Sequence, residues 1–245
     1  MCQREFHYRR DSRLKSQRGV LTVTDLSVIR QSTLLAGMEE GALLSLVNQG
    51  WVRVLYRGDS LFHQGDAART LFLVLEGCLK EYRNRRNGVI TVNRIVEAGA
   101  CLGELDLFLA QPYAAGVEAV WDSRVLELPS EGFLEALTRY GSVARRTTEH
   151  LSRRLERQIQ DLENAYWLSA PQRLAVFLTD LFPDGGRHRD CRLAFDKSVL
   201  AARLGMMPET LSRAFVALRG HGVRTHSRCI YIEDVEALRA FACCE

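Results

Sequence analysis

No Cys-x-x-Cys spacing occurs in this 245-residue chain. Its seven cysteines, at 2, 78, 101, 191, 229, 243 and 244, are scattered and odd in number, which excludes a disulfide framework and a zinc ribbon. The adjacent Cys243-Cys244 pair could close only as a strained disulfide and reads as a frayed tail. Excess charge is missing too. Lys and Arg exceed Asp and Glu by only +3, so this is not a general polycation, and any nucleic-acid contact must use local basic patches. No apolar run reaches the length that spans a bilayer. The opening Met-Cys-Gln-Arg-Glu-Phe-His-Tyr-Arg-Arg lacks the apolar stretch of a secretory signal. The expected location is therefore the cytoplasm, with no membrane partner. Catalytic signatures are absent as well: there is neither a P-loop nor a Ser/His/Asp spacing. The strand-rich middle of the chain holds His63 as its one histidine, too few ligands for a catalytic metal inside a β-roll. No enzyme activity is expected.

What is present is concentrated between Lys197 and Gly220, which read as two short helices and a tight turn. Leu200 and Leu204 line one face of the first helix, and Ala201 leaves room for a close crossing. Gly205 supplies a left-handed turn residue, and Pro208 suits the first position of the second helix. Leu211, Phe215 and Leu218 form an i, i+4, i+7 apolar stripe. Glu209, Ser212, Arg213 and Val216 fall on the opposite face. A helix with one face for a core and another for hydrogen bonding fits a helix-turn-helix in the major groove. Arg grips guanine O6 and N7 bidentately, Glu accepts from cytosine N4, and Ser meets a phosphate or base edge. From these residues alone, an ordinary helical hairpin in a core stays open.

The chain is long enough for two domains, and its patterns divide it further. Residues 1–23 form an Arg-rich arm, a mobile tail or a backbone contact to DNA. Residues 24–50 are helical, broken at Gly50. From Trp51 to about Pro129, short strands alternate with turns at Gly58-Asp59, Gly65-Asp66, Glu76-Gly77 and Arg86-Asn87-Gly88, the signature of a jelly-roll or barrel. Ser130 is the expected N-cap of a short helix reaching Tyr140, which closes a domain over 24–140. A long helix over 141–168 follows, with Thr148, Leu151, Leu155, Ile159 and Leu162 along a seam of about three heptads. So narrow a seam suits one partner helix, and a homodimer is expected. Residues 169–245 hold a helix from Ser169 to Gly185, a strand over 191–195, the helix pair, a two-stranded wing (Gly222–Thr225 and Cys229–Ile232) and a last helix, 235–241, capped by Asp234. The predicted fold class is α+β: an N-terminal β-roll of double-stranded jelly-roll type, a long dimerisation helix and a C-terminal winged helix-turn-helix.

This order resembles the CRP/FNR family of bacterial transcription regulators from about residue 25 to 240. The motifs are Gly58-Asp59, Gly65-Asp66, Leu75-Glu76-Gly77, Gly103-Glu104-Leu105-Asp106-Leu107-Phe108 and Pro208-Glu209-Thr210-Leu211-Ser212-Arg213. The resemblance implies double-stranded DNA and RNA polymerase as partners and a roll similar to a cyclic-nucleotide-binding domain. It also implies a DNA-reading set of Glu209, Thr210, Ser212 and Arg213. The FNR-like Glu-x-x-Ser-Arg motif reads a TTGA-type half-site, so a TTGAT…ATCAA-like palindrome is expected. Cyclic-AMP-responsive members carry Arg where this chain has Pro208. The Pro-Glu-Thr-x-Ser-Arg run is similar to nitric-oxide-responsive denitrification regulators, which use haem.

The same resemblance places an effector pocket at Gly103, Glu104, Leu105, Ala114 and Ala115. In members that bind cyclic AMP, an Arg-Ser pair holding the cyclic phosphate stands where this chain has Ala114 and Ala115. Without that charge-assisted pair, cyclic AMP is not the expected ligand. An iron–sulfur cluster needs four ligands close in space, and with Cys2 alone near the N-terminus none is expected. For haem, one His or Cys suffices as proximal ligand, which leaves His7, His63, His150, Cys78 and Cys101 as candidates, although a lone His is more often a surface or hydrogen-bonded residue and a lone Cys a small core hydrophobe. Two other readings stay open: a ligand- or partner-binding sensory module without DNA activity, and a constitutively active, ligand-independent regulator.

Overall fold

The computed structural model describes residues 18–84, 90–193 and 195–243. Two short helices, α1 (Val23–Gln31) and α2 (Glu40–Val47), precede the roll. The start of α1 is closed reciprocally: the Asp25 amide donates to the Thr22 hydroxyl, and the Thr22 amide donates to the Asp25 carboxylate.

The roll contains β2 (Trp51–Leu55), β3 (Ser60–Phe62), β4 (Thr70–Glu76), β5 (Cys78–Asn84), β6 (Ile90–Glu97), β7 (Cys101–Leu102), the single-turn helix α3 (Glu104–Phe108), β8 (Gly116–Ala119) and β9 (Ser123–Pro129), with β1 (Arg18–Gly19) on the edge beside β2. Two antiparallel sheets result, ordered β1-β2-β9-β4-β7 and β3-β8-β5-β6. Strand β4 shows why they stack. Leu71, Leu73 and Leu75 enter the core shared with α1 and α2, while Phe72 and Val74 enter the core between the sheets. Successive side chains point to opposite faces, so an unbroken apolar run becomes a strand buried on both sides. The turn at Arg86-Asn87-Gly88 lies outside the described residues, but Asn84 stands opposite Ile90 in the β5–β6 pairing.

Helices α4 (Ser130–Arg139) and α5 (Gly141–Trp167) follow. Ser130 is the first residue of α4 and not its cap. Pro129 takes the cap position without a side-chain bond. It is also the last residue of β9, paired with Thr70, so strand runs directly into helix and carries Ser130 into the first turn. The face of α5 turned to the roll buries Val143 and Thr147.

The C-terminal domain comprises α6 (Ala170–Asp180), β10 (Arg187–Arg192), α7 (Lys197–Arg203), α8 (Pro208–Leu218), β11 (Val223–His226), β12 (Cys229–Asp234) and α9 (Val235–Cys243). Ser169 and Gln172 close the start of α6, and the Asp234 carboxylate accepts from the amides of Glu236 and Ala237 at the start of α9. The wing has three strands, ordered β10-β12-β11. The strand expected over 191–195 covers 187–192 instead. Leu193 and Phe195 leave the sheet and bury in the domain core at 4% and 6% exposure. No helix among the described residues is long and apolar enough to cross a membrane.

Candidate nucleic-acid interface and sensor cavities

The helix pair is built by its turn. Gly205 sits at φ +63°, where a Cβ is strained, and the Met206 amide donates to the Ala201 carbonyl. Ala201 is fully buried where α7 meets α8. Pro208 opens α8, and Leu211, Ala214, Phe215 and Leu218 bury against Leu174, Leu178 and Leu200. That stripe fixes the rotation of α8, so Glu209, Ser212, Arg213 and Val216 all face outward, with Thr210 half-buried. Glu209 and Arg213 make no ion pair among the described residues, while the Ser212 hydroxyl donates to the Pro208 carbonyl at 2.9 Å. The outward face therefore presents a free carboxylate, a free guanidinium and a hydroxyl that exchanges one backbone bond for an external one. Beside it, the wing carries exposed Arg224 and His226 and a tip at Ser227 with φ +54°.

In the roll, Gly103 caps α3 at φ +88°. A Cβ there would lie 3.0 Å from the Thr70 carbonyl oxygen and 3.1 Å from the Tyr113 ring, so the backbone approaches more closely than a side chain allows. Gly103, Leu105, Ala114 and Ala115 line a cavity of about 170 Å³, with Phe62, Arg83 and Arg154 on its other walls. Glu104 is not part of that lining. It is fully buried and turned to α5, where the Arg154 guanidinium donates to its Oε1 at 2.5 Å and His150 Nε2 lies at 3.4 Å. Burial alone would raise the Glu104 carboxyl. The His150 contact and the charges of Arg154 and Arg94 outweigh it and hold the carboxyl below the usual range. The link between roll and long helix is thus ionic and buried. Residues 46 and 50 positions downstream supply it, a separation no spacing motif reveals.

Of the haem candidates, Cys78, Cys101, His63 and His150 lie among the described residues. Cys78 sits in the apolar core where the roll meets α6 and α7, and burial, then Glu97, pushes its thiol up to about 12. Cys101 is fully enclosed and raised by burial and the nearby Glu104 carboxylate, so neither offers a ready thiolate. The His63 side chain is 69% exposed beside Asp66. His150 is engaged with Glu104 in a cavity rich in arginine. His7 lies outside the described residues, as do Cys2 and most of the basic arm. Among the described residues no group of three or more His, Cys, Asp or Glu side chains is arranged for a metal ion.

Along α5 the seam is bare. Leu155, Ile159 and Leu162 are 59%, 49% and 70% exposed, Thr148 is exposed and Leu151 half-buried. Tyr166 and Trp167 extend the stripe as an exposed edge-to-face pair. Another face of the same helix is basic, with no spacing motif to mark it. Arg146, Arg153, Arg154 and Arg157 line a second cavity with Arg94 of β6 and Arg203 of α7.

Comparison with known proteins adds two matches along the chain. Residues 52–140 match the cyclic nucleotide-binding domain, and residues 172–241 match the Crp-like helix-turn-helix domain. A solved structure from Ruegeria pomeroyi, provisionally named a cyclic nucleotide binding protein, is 30% identical at TM-score 0.64, covering 91% of this chain and 98% of that one. The cyclic AMP receptor protein of Thermus thermophilus is 29% identical over 70% of this chain and 78% of its own length. The transcriptional activator protein Anr of Pseudomonas aeruginosa is 27% identical over 82% and 83%.

Proposed function

The chain belongs to the CRP/FNR family of DNA-binding transcription regulators, and from that premise we propose that it reads a TTGAT…ATCAA-type palindrome as a homodimer, under a signal other than cyclic AMP. The family consists of regulators, not enzymes. The observation that carries the reading is the outward face of α8, where Glu209, Ser212 and Arg213 stand clear of a buried Leu211–Phe215–Leu218 stripe. At i, i+3 and i+4 the three project together, with Arg213 suited to guanine and Glu209 to the cytosine paired with it. Thr210, half-buried at the helix start, completes the proposed reading set. Two copies related by a two-fold axis place two such helices about 34–36 Å apart, one turn of the duplex. The bare α5 seam supports that two-fold, because an isolated helix does not keep Leu155, Ile159 and Leu162 in water without a partner.

The lining of the roll cavity supports a ligand other than cyclic AMP. Ala114 and Ala115 offer no guanidinium or hydroxyl, and Arg154, on the opposite wall, is committed to Glu104. A cyclic phosphate beside Ala114 and Ala115 would lack the Arg-Ser pair, and the guanidinium left in the lining, Arg83, is exposed near the end of β5.

The test is fluorescence anisotropy with a labelled palindromic duplex. Arg213→Ala is expected to weaken binding by roughly 1–3 kcal/mol per half-site, a factor of about 5 to 150, with the dimer intact by light scattering. Unchanged affinity would show that α8 does not read the site through Arg213. Equal affinity of the wild type for scrambled DNA would remove the sequence specificity itself.

A further inference from the structure

The structure assigns a second ligand site to the cavity enclosed by β6, α5 and α7: we propose that it binds a small polyanion and so ties the roll and the long helix to the DNA-reading domain. The cavity is about 310 Å³ and is lined by six arginines, Arg94 from β6, Arg146, Arg153, Arg154 and Arg157 from α5, and Arg203 from α7. Three carboxylates, Glu81, Glu149 and Asp161, are the acids in its lining. They account for Arg94 at 2.9 Å, Arg146 at 3.5 Å and Arg203 at 2.9 Å, and Arg154 is held by Glu104 behind the wall. Arg153 and Arg157 make no ion pair among the described residues. They are four apart on one helix face, where like charges repel, and both turn into the same concavity. A cleft lined by one sign of charge focuses its field on an incoming counter-ion. The Arg fork matches carboxylate or phosphate oxygens in pairs. Arg154 Nε adds a buried donor with no acceptor. The volume is at the lower limit of small-molecule sites, which favours a compact ligand with several charges over a large one.

The site is distinct from the roll cavity, with which it shares Glu81 and Arg154 alone. It is also distinct from the dimer seam. At 3.6 residues per turn, positions 146, 150, 153, 157 and 161 lie roughly 160° around α5 from positions 148, 151, 155, 159 and 162, so pairing along the seam leaves the cavity walled by its own chain. Its three walls belong to the roll, the long helix and the reading domain, and a polyanion contacting Arg94, Arg157 and Arg203 together would bridge all three.

Isothermal titration of the full-length protein tests this independently of any DNA binding. The probes are tripolyphosphate and citrate, with acetate as the singly charged control, at constant ionic strength. One site per protomer is expected for tripolyphosphate, citrate or both, with a dissociation constant of tens of micromolar or tighter on the scale of ordinary small-molecule sites and much weaker acetate binding. Tripolyphosphate preference marks a phosphorylated ligand, and citrate preference a polycarboxylate. Arg153→Gln with Arg157→Gln is expected to weaken binding at least tenfold with an unchanged circular dichroism spectrum. Arg203→Gln is expected to weaken it severalfold, and Arg83→Gln, in the roll cavity, to leave it within twofold. Three results would each overturn the assignment: neither polyanion binds, the double variant binds as the wild type does, or Arg83→Gln costs as much as the double variant. Full affinity in Arg203→Gln would take α7 out of the site and refute the tie to the reading domain.

Discussion

Replacing Arg154 with methionine removes a charge that holds a buried carboxylate, and the cost to stability depends on pH. Glu104 is fully buried, and the Arg154 side chain is 15% exposed. Methionine keeps an unbranched stem along the same groove, so packing is largely retained while the guanidinium is lost. Breaking a buried pair by removing one partner costs about 3–5 kcal/mol, because the other charge is left without compensation. At about 2–4 °C per kcal/mol for a chain of this size, the melting temperature should fall by roughly 6–20 °C at pH 7. In the wild type the Glu104 carboxyl is held below its unfolded value. Its contribution is therefore complete above the ordinary carboxylate range and is lost only as pH falls through the lower folded value. In Arg154→Met one of the groups that oppose burial is lost while His150 and Arg94 remain, so the folded carboxyl rises from its wild-type value. The deficit of the variant is then greatest at neutral pH and shrinks as pH falls through that raised value. Urea unfolding from pH 7 to pH 4 at fixed protomer concentration measures both effects. A deficit below about 1 kcal/mol at pH 7, or one that stays constant with pH, would refute the view that this ion pair fastens α5 to the roll.

Two further substitutions test the frame around it. Leu155→Glu with Leu162→Glu acts at positions 59% and 70% exposed in the single chain, so the protomer should lose little, within about 0.5 kcal/mol each. Sedimentation equilibrium should then report a monomer with unchanged helicity and no palindrome binding, whereas a surviving dimer would place the interface elsewhere. Phe133→Ala removes a fully buried ring from α4, 6.1 Å from the Phe108 ring, and should cost about 3–5 kcal/mol in urea unfolding. A loss under 1 kcal/mol would mean that α4 does not close this core.

The parts of the fold legible in the sequence were those with one dominant periodicity. The apolar run of β4 and the stripe of α8 each have one physical solution, burial on both faces and burial on one. Strand β10 was misplaced because it is polar along its length, with five of its six residues exposed. It is held by ladder bonds to β12, with Arg187 opposite Asp234, and hydropathy carries no trace of such bonds. Leu193 and Phe195 were apolar enough to attract the strand assignment but serve as anchors beneath α7. Ser130 was misread because local propensity favours serine as a cap, while the geometry of β9 decided the helix start. In the candidate site, the outward set on α8 followed from spacing alone. The role of Glu104 did not, because its partners are far along the chain. The arginines of α5 carry no spacing signal of a site, and only the fold shows Arg94 and Arg203 brought against them from two other elements.

The same fold limits how firmly the reading domain is held. Its contact with the roll centres on Trp121, which lies between the guanidinium groups of Arg57 at 5.5 Å and Arg228 at 4.4 Å and packs with Ile95, Cys78 and Val120 onto the core beneath α7. Asp196, just before α7, pairs with Arg57 at 3.0 Å, and Arg203 pairs with Asp161 of α5 at 2.9 Å. The Arg57–Asp196 pair is 61% and 44% exposed, and exposed pairs contribute about 0.2–1 kcal/mol. The holding energy therefore resides mainly in a small apolar contact, the kind of interface across which domains move. Breaking it costs on the order of a few kcal/mol. A ligand shifts such an equilibrium only by its preference between the two arrangements, and a hundredfold preference supplies about 2.7 kcal/mol. That is the same magnitude as the contact. The roll needs no large rearrangement to change where Glu209, Ser212 and Arg213 are presented. It needs a ligand that distinguishes the docked domain from the released one, and a cavity walled by β6, α5 and α7 is placed to do so.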